Sequence, residues 1–488
     1  MSTPADRYRP AWHYSARRHW INDPNGLIYA DGEYHLFYQT NPFGDQWGHM
    51  SWGHAVSRDL LHWRELPLAI AEDERVSIYS GSVVIDHANS SGFGREGQAP
   101  WVAIYTGCLR RPEGGQAQEL AWSLDRGLSW TQYAGNPVLD IGLKDFRDPK
   151  VFWHAATARW VMVVVRPDDH RVCFYASPDL RQWQHLSDFG PAGEVGGIWE
   201  CPDLIEFPGE GGAPSRWVLK VDTFAGHPGG TGAQIFIGQF DGQRFVPDQA
   251  PGDTGRWVDH GSDFYAALSW AGLPAGRAPL WIAWMNNHGY AKHTPSAPWR
   301  GAMSLPRELG LLDTPAGTRL AQRPWPGLAA LRGAPLSVAL QAGEGEHEID
   351  LQGLDGRSLE LRWELEPGFA GPCALLLRRG GGEHTVVGVD PGLGQVFIDR
   401  AASGHEVDAQ RWAGRRAATW APGAAPLCLR IFIDHCSVEV FSADGLVALT
   451  ELIFPADASR GLALQVSGSG SLRGRLTVWP LALGAGAP

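Results

Sequence analysis

The sequence predicts an all-β protein, a five-bladed β-propeller followed by a C-terminal β-sandwich. Glycine (61) and proline (35) make up about a fifth of the 488 residues, which argues against a helical bundle. A turn motif recurs along the first half of the chain, and the last part alternates polar and apolar residues at period two. A disordered chain is excluded, because 44% of the residues are hydrophobic and 23 are tryptophan.

The recurring turn combines a serine, an aspartate and an aromatic residue. Its aspartate or serine can hydrogen-bond the nearby backbone to close the turn, and the aromatic residue begins the next strand and packs over the turn. The copies lie roughly 55 to 65 residues apart. Three full copies and a degenerate fourth are Ser57-Arg-Asp-Leu-Leu-His-Trp63, Ser123-Leu-Asp-Arg-Gly-Leu-Ser-Trp130, Ser177-Pro-Asp-Leu-Arg-Gln-Trp183 and Phe240-Asp-Gly-Gln-Arg-Phe245.

A second series of polar clusters interleaves with these turns, and each cluster precedes a short run of β-type residues. Five units of about 60 residues, each opening with polar groups and closing with an aromatic turn, predict five blades whose innermost strands face a common channel. An ordinary β-sandwich with chance similarity among its turns is the alternative. The five clusters are Asn22-Asp-Pro-Asn-Gly26, Tyr79-Ser-Gly-Ser82, Arg147-Asp-Pro149, Glu200-Cys-Pro-Asp203 and Asp263-Phe-Tyr265.

The repeat stops after about residue 310, and the chain is predicted to divide into two domains. We assign residues 1–320 to the propeller, residues 321–336 to a proline-bounded linker with one helical turn, and residues 337–488 to the sandwich. Period-two segments separated by glycine-rich turns predict the half-solvated antiparallel strands of that sandwich. Examples are Ser358-Leu-Glu-Leu-Arg-Trp-Glu-Leu365 and Leu429-Arg-Ile-Phe-Ile-Asp434.

Charge and composition argue against several partners. The net charge is −12 and no window is strongly basic, so nucleic acid is not expected as a partner. No apolar stretch approaches the ~20 residues that cross a bilayer, so we expect no membrane partner. The start of the chain shows no apolar signal region, which favours a cytoplasmic location and leaves export by another route open. The six cysteines contain no C-x-x-C pair and are predicted to be free thiols.

Three carboxylates, Asp23, Asp148 and Glu200, stand out because each opens a predicted inner strand. A residue before proline favours extended geometry, so Asp23 and Asp148 are expected to be extended. Neighbouring side chains alternate along a strand, so Cys201 is expected to point away from the channel if Glu200 points into it. Three acids at equivalent places in different repeats would converge on one axis.

A ring of acids in a tryptophan-rich channel suits a sugar. Aromatic faces stack on sugar C–H surfaces, amides and carboxylates bind hydroxyls, and a carboxylate pair can break a glycosidic bond. The sequence contains no Gly-x-Ser-x-Gly elbow, phosphate loop or His-Glu-x-x-His motif. We therefore expect a glycosidase that needs neither a metal nor an organic cofactor.

Ordered motifs in both proposed domains resemble those of glycoside hydrolase family 32, whose members act on β-fructofuranosides as invertases, inulinases and levanases. The motifs are Trp20-Ile-Asn-Asp-Pro-Asn-Gly26, Phe37-Tyr-Gln39, Gln46-Trp-Gly-His49, Trp52-Gly-His-Ala55, Tyr79-Ser-Gly-Ser82, Phe146-Arg-Asp-Pro149, Trp199-Glu-Cys-Pro-Asp203, Asp263-Phe-Tyr-Ala266, Trp299-Arg-Gly-Ala-Met-Ser-Leu-Pro-Arg307 and Asp434-His-Cys-Ser-Val-Glu-Val-Phe441.

The resemblance implies a role for each acid. Asp23 matches the nucleophile that attacks the anomeric carbon of the fructosyl unit. Glu200 matches the acid/base that protonates the departing oxygen and later deprotonates water. Asp148 matches the transition-state stabiliser. Further residues match positions that line the fructose subsite, namely Asn22, Gln39, Trp47, Tyr79, Ser80 and Arg147.

Alternatives remain for several of these residues. Core packing would also explain Trp47 and Tyr79, although their Gly- and Ser-rich surroundings favour a pocket wall. Arg147 would serve equally to pair with a neighbouring carboxylate. His288 stands where many relatives carry tryptophan near the fructose, and a solvent-facing loop position is its alternative.

The implied function is a retaining hydrolase that releases terminal β-D-fructofuranosyl units from levan or inulin, fructooligosaccharides and sucrose through a covalent intermediate. The stretch around residues 77–93 resembles exo-acting inulinases and levanases more than sucrose-only invertases. A fructosyltransferase, an inverting arabinanase-like hydrolase and a non-catalytic sugar-binding propeller are the alternatives. The last remains because Ser123-Leu-Asp-Arg-Gly-Leu-Ser-Trp130 also resembles the Asp-box turn of other propellers. The sequence leaves the oligomeric state open.

Overall fold

The computed structural model describes residues 6–209, 211, 213–248, 256–408, 410–421, 426–468 and 471–484. Strands account for 53% of the chain and helices for 3%, which confirms the all-β prediction. The outermost ends of the two predicted domains, residues 1–5 and 485–488, lie outside the described residues. All six cysteines are free, as predicted.

The first 22 strands form five sheets that follow one another along the chain. The first sheet contains β1 (His19–Ala30), β2 (Glu33–Asn41), β3 (Ser51–Ser57) and β4 (Arg64–Ile70), and the second β5 (Val76–Ile85), β6 (Trp101–Leu109), β7 (Gln116–Ser123) and β8 (Thr131–Gln132). The third contains β9 (Arg147–His154), β10 (Arg159–Arg166), β11 (Arg171–Ser177) and β12 (Gln184–Phe189). The fourth contains β13 (Trp199–Phe207), β14 (Arg216–His227), β15 (Gly230–Phe240), β16 (Phe245–Pro247) and β17 (Arg256–Trp257). The fifth contains β18 (Tyr265–Ser269), β19 (Leu280–Trp284), β21 (Arg307–Thr314) and β22 (Gly317–Pro324), while β20 (Trp299–Arg300) pairs in parallel with β1.

Each sheet is one blade, and the blades pack face to face in a ring. In β10, Val161, Val163 and Val165 pack against the fourth blade, whereas Met162 and Val164 on the opposite face pack against the second. Both faces of such a strand are therefore apolar, and its sequence reads as a continuous hydrophobic run. Backbone hydrogen bonds between Ala271 and the end of β1 join the fifth blade to the first, and the ring closes.

The repeated turns connect the third and fourth strands of the blades, as the sequence predicts. In the first, the Asp59 carboxylate accepts hydrogen bonds from two backbone amides that follow it. The same aspartate-to-amide bonds recur at Asp179 and Asp241. The indole N–H of the closing tryptophan donates to the carbonyl three residues earlier, at 3.1 Å in all three full copies. The turns are thus fixed locally, which is why the sequence alone reveals them.

The remaining strands form a sandwich of two six-stranded antiparallel sheets. A 3₁₀ helix (Pro326–Leu331) precedes it, and shorter ones lie at Ala155–Thr157 and Ala291–His293. The residues predicted as linker, 321–336, therefore span the end of β22, this helix and the first residue of β23. The first sheet contains β23 (Leu336–Ala342), β34 (Leu472–Pro480), β25 (Leu359–Leu365), β30 (Leu427–Asp434), β31 (Ser437–Ser442) and β32 (Ala448–Leu452), and the second β24 (Gly345–Ile349), β33 (Gly461–Val466), β26 (Cys373–Gly380), β27 (Glu383–Asp390), β28 (Gln395–Asp399) and β29 (Arg415–Thr419).

Buried charged groups join the sandwich to the propeller. The Arg307 guanidinium, fully buried, lies 2.9 Å from the carboxylates of both Glu439 and Asp259. The His13 ring lies between the carboxylates of Asp434 and Glu439, at 2.8 and 3.0 Å. The conspicuous motif between residues 434 and 441 thus serves the domain interface. In the described part of the chain, no helix is long and apolar enough to cross a membrane.

Candidate active site

A pocket of about 420 Å³ opens where the innermost strands of the five blades meet. Eight of the nine residues predicted for the site line it; Ser80 is the exception. The lining residues are Trp20, Asn22, Asp23, Gln39, Trp47, Tyr79, Gln116, Asp145, Arg147, Asp148, Glu200, Phe224, His288, Ala291 and Lys292.

Every innermost strand is irregular at the point where it reaches the pocket. In β5, a β-carbon at position 81 would lie 2.2 Å from the carbonyl oxygen of Ile104, so only glycine fits there. Such bulges change the direction of side chains, so that residues which would face away from the pocket in a regular strand can face into it. The pairing register shifts between Ile21 and Pro24, Ile78 and Gly81, Arg147 and Lys150, Glu200 and Asp203, and Tyr265 and Leu268.

The bulges overturn two expectations about local geometry. Asp148 is not extended but has a φ of 66°, in the left-handed region, and its amide donates to the Thr106 hydroxyl at 2.8 Å. Cys201 has a φ of 47°, so simple alternation fails there. Its thiol does not turn away from the acids but lies 3.8 Å from the Asp23 carboxylate. The bond to Thr106 on the neighbouring blade offsets the cost of the left-handed backbone at Asp148, about 1–3 kcal/mol.

Within the described part of the chain, the Asp23 carboxylate is hydrogen-bonded at only one of its two oxygens. Its Oδ2 accepts a 2.7 Å hydrogen bond from the Ser80 hydroxyl. Its Oδ1 is buried and has no hydrogen-bond partner among the described residues. Ser80 in turn accepts a 2.7 Å bond from the Gln39 amide. Ser80 therefore supports Asp23 from behind and does not line the pocket.

Glu200 is held at both oxygens by groups from neighbouring blades. Arg147 donates to Oε1 at 3.0 Å, and the Tyr265 hydroxyl donates to Oε2 at 2.7 Å. Arg147 also contacts the Asp145 carboxylate at 2.8 Å. Arg147 thus both lines the pocket and pairs with neighbouring acids, which were the two alternatives for it.

Asp148 is a buried acid whose pKa is raised by its surroundings. Burial raises the pKa of Asp148 to about 7, against the lowering effect of Arg147, and the charges of Glu200 and Asp23 raise it further. The Cys201 amide donates to Oδ2 at 2.9 Å and favours the ionised form. A crowded set of three acids with one arginine therefore retains a proton up to neutral pH.

Aromatic and amide groups form the wall above the acids. Trp47 is 44% exposed and meets Tyr79 edge to face, with 6.1 Å between ring centroids. The two rings are pocket wall and not core. The Asn22 side chain accepts a 2.7 Å hydrogen bond from the Trp20 indole, which fixes its orientation at the pocket.

Several residues to which the sequence assigns no role lie at the site, either in the pocket wall or in contact with its acids. Tyr265 belongs to the fifth polar cluster, but the acid at the head of that cluster, Asp263, turns away and binds Arg400 of the sandwich at 2.6 Å. Phe224 lies in β14 and carries no motif that would have found it. His288 lies in the pocket, not in a solvent-facing loop. In the described part of the chain, no group of three or more His, Cys, Asp or Glu is placed to hold a metal ion.

Comparisons with known proteins identify both domains. The profile of the glycosyl hydrolases family 32 N-terminal domain matches residues 13–324, and that of the family's C-terminal domain matches residues 328–480. A levanase of Bacillus subtilis (strain 168) is 43% identical over 483 residues, covering 97% of this chain and 70% of that protein. An extracellular exo-inulinase of Aspergillus niger is 38% identical over 486 residues, covering 92% and 90%.

Solved structures extend the match to the whole architecture. The crystal structure of exo-inulinase from Aspergillus awamori superposes with a TM-score of 0.92 at 36% identity, covering 97% of this chain and 98% of that one. The β-fructofuranosidase of Schwanniomyces occidentalis complexed with fructosyl-erythritol gives a TM-score of 0.88 at 30% identity, covering 99% of both. Since the two family profiles and these relatives span nearly the whole chain, the protein belongs to glycoside hydrolase family 32 and is a glycosidase.

Proposed function

We propose that the protein is a retaining exo-acting β-fructofuranosidase that releases terminal fructose from levan or inulin, fructooligosaccharides and sucrose. The observation that carries the proposal is the convergence of Asp23, Asp148 and Glu200 on one pocket of sugar size. The names of its relatives, levanase, exo-inulinase and β-fructofuranosidase, agree with that substrate class.

In the proposed first step, the Asp23 carboxylate attacks the anomeric carbon of the terminal fructosyl unit while the bond to the leaving oxygen breaks. Glu200 gives its proton to that oxygen. The free Oδ1 of Asp23 supports this assignment, because each donor to a carboxylate oxygen stabilises its charge and weakens it as a nucleophile. Among the described residues, only Oδ2 has donors, the Ser80 hydroxyl and the Cys201 thiol. The donors Arg147 and Tyr265 fix the orientation of the Glu200 carboxyl, and the proton that the three acids retain up to neutral pH supplies the one it transfers.

In the proposed second step, Glu200 takes a proton from water, whose oxygen attacks the anomeric carbon and releases fructose from Asp23. Asp148 lies beside the reacting centre as a third carboxylate held by the Cys201 amide. Once the proton retained by the three acids lies on Glu200, Asp148 is ionised, and its negative charge would stabilise the oxocarbenium-like transition state of both steps. Two inversions at the same carbon give overall retention of configuration.

The floor of the pocket supports release from a chain end. Directly beneath the acids, Pro24, Ser80 and Cys201 leave a space of only about 10 Å³, too small for a sugar. A fructan chain therefore has no path through the propeller axis and must enter and leave by the one open end of the pocket, as release of a terminal unit requires. The Trp47 and Phe224 side chains stand at the open end, where the remainder of the chain would leave.

The test is incubation with sucrose, inulin and levan, followed by separation of the products. Fructose as the sole early product from the fructans supports the proposal. A ladder of oligosaccharides would indicate an endo-acting enzyme, and kestose-like trimers from concentrated sucrose would indicate a transferase. No conversion of any of the three substrates would refute the proposed function.

A further inference from the structure

His288 lies in the pocket with aromatic rings on three sides. Its imidazole stacks on Phe224 at 4.4 Å between centroids and 27° between planes. It meets Tyr265 edge-on at 4.7 Å and Trp284 at 5.0 Å. These contacts hold the ring plane in a fixed orientation, as a substrate-binding group requires.

The backbone that carries His288 is also fixed. The buried Asn287 amide donates to the carbonyl oxygens of Gly229 and Ser262, at 2.9 and 2.7 Å. Its side-chain oxygen accepts from the Gly289 amide at 2.9 Å. Asn287 thereby ties the loop to the fourth and fifth blades at the residue before His288, and its bond to Gly289 closes the loop around His288.

The two ring nitrogens of His288 are free to bind a ligand. Neither nitrogen of His288 has a hydrogen-bond partner in the described part of the chain, and neither is sealed from the pocket. Burial lowers the pKa of His288, and the charges of Arg147 and Lys292 lower it further, against the opposite effect of Glu200 and Asp23. A neutral imidazole offers one N–H donor and one acceptor, which is the pair that a sugar hydroxyl can satisfy.

The position of His288 indicates that it would contact the leaving sugar and not the fructosyl unit. The ring packs against Tyr265, whose hydroxyl is bonded to Glu200, so His288 lies on the side of the proposed acid. The acid stands beside the leaving oxygen, and the group attached to that oxygen is the leaving sugar. Phe224, stacked on His288 and 39% exposed, extends this wall toward the solvent.

We propose that His288, backed by Phe224, is a specificity-determining residue that hydrogen-bonds a hydroxyl group of the leaving sugar. The inference rests on the proposed function and adds to it. It implies that the enzyme distinguishes leaving groups that carry hydroxyls near the scissile bond from those that do not.

The experiment compares kcat/KM for two substrates with the same fructosyl unit, a fructose disaccharide and methyl β-D-fructofuranoside. His288→Phe keeps a stacking ring and removes both nitrogens. We expect it to lower kcat/KM for the disaccharide roughly tenfold and to leave that for the methyl fructoside within about twofold. His288→Asn, which keeps a donor and an acceptor, should recover part of the loss. His185→Phe, at an exposed position in β12, is the matched control and should change neither value.

Each outcome is decisive. If His288→Phe lowers both values equally, His288 acts on the fructosyl unit or only on the structure, and the inference is wrong. If neither value changes, it is also wrong. If the wild-type protein hydrolyses neither the disaccharide nor the methyl fructoside, the proposed function itself is refuted.

Discussion

The Tyr265 hydroxyl donates a 2.7 Å hydrogen bond to Oε2 of Glu200. Arg147 donates to the other oxygen, so the carboxyl is held between a residue of the fifth blade and one of the third. Tyr265 is buried, and burial raises the pKa of its hydroxyl well above the usual value. The Tyr265 hydroxyl therefore keeps its proton and remains a hydrogen-bond donor at neutral pH. It positions Glu200 without exchanging protons with it.

Replacement of this tyrosine tests its role in positioning. We expect Tyr265→Phe to lower kcat roughly tenfold, because Glu200 loses one of its two fixed donors, with KM within about twofold of wild type. Steady-state kinetics on sucrose measures both constants. Tyr133→Phe removes a hydroxyl outside the pocket and should have no effect. A rise in KM at unchanged kcat would contradict the positioning role.

The proposed chemistry depends on two side chains with different roles, Asp23 as nucleophile and Glu200 as proton donor. Asp23→Asn removes the nucleophile, and we expect more than about a 10⁴-fold loss of kcat. Glu200→Gln removes the proton donor and should cost about 10² to 10⁴-fold with a natural leaving group. Circular dichroism and the melting temperature should show the fold retained.

The two variants should differ when the leaving group needs no proton. With an activated aryl β-fructofuranoside, Glu200→Gln should recover the first step, visible as a burst of released phenol, whereas Asp23→Asn should remain inactive. Near-normal turnover of sucrose by either variant would refute its assigned role.

Retention of configuration separates this mechanism from that of an inverting propeller hydrolase. With methanol as a competing acceptor, a covalent intermediate on Asp23 would pass fructose to methanol and yield methyl β-D-fructofuranoside. NMR of the products distinguishes it from the α-anomer, which an inverting reaction would give. Formation of the α-anomer would exclude the proposed intermediate.

The features that the sequence predicted correctly are those encoded by local contacts. The turns at Asp59 and Asp179 close through bonds within a few residues, so their pattern survives in the sequence. The acids Asp23, Asp148 and Glu200 reach one pocket because they lie on the innermost strands of the first, third and fourth blades. A repeat places such residues together without any knowledge of long-range contacts.

The features that sequence reasoning missed depend on neighbouring blades. The proline after Asp148 favours extended backbone, but the bond from its amide to Thr106 in the second blade holds the left-handed conformation. In the fifth cluster, Asp263 faces the sandwich because Arg400 supplies a buried charge for it, and Tyr265 contacts Glu200 instead. Neither contact leaves a local signature.

Ser80 and Trp47 were both predicted to bind substrate, but the structure gives them different positions. We expect Ser80→Ala to lower kcat roughly tenfold with little change in KM, because it removes the hydrogen bond to Asp23 and touches no substrate. Trp47→Ala should mainly raise KM, because the exposed ring forms the pocket wall. Kinetics on one fructooligosaccharide compares both. A raised KM at unchanged kcat in Ser80→Ala would show that Ser80 binds substrate after all.

His13 predicts how the stability of the domain interface depends on pH. Burial lowers the pKa of His13, but the bonds to Asp434 and Glu439 outweigh this effect and raise it from 6.5 to about 9. Because the folded state binds the proton more tightly, the stabilisation is complete below pH 6.5 and is lost as pH rises through 9. The charge should contribute about 3 kcal/mol at its maximum.

We therefore expect His13→Gln to unfold more easily than wild type, with a difference in the free energy of unfolding that shrinks as pH rises. Urea unfolding followed by tryptophan fluorescence, below pH 6.5 and above pH 9, measures this difference at both ends. His185→Gln, at an exposed position, is the control and should leave the free energy of unfolding close to that of wild type. A difference in the free energy of unfolding between wild type and His13→Gln that is constant across this pH range would mean that His13 is neutral in the folded protein. Its bonds to Asp434 and Glu439 would then stabilise the interface without its charge.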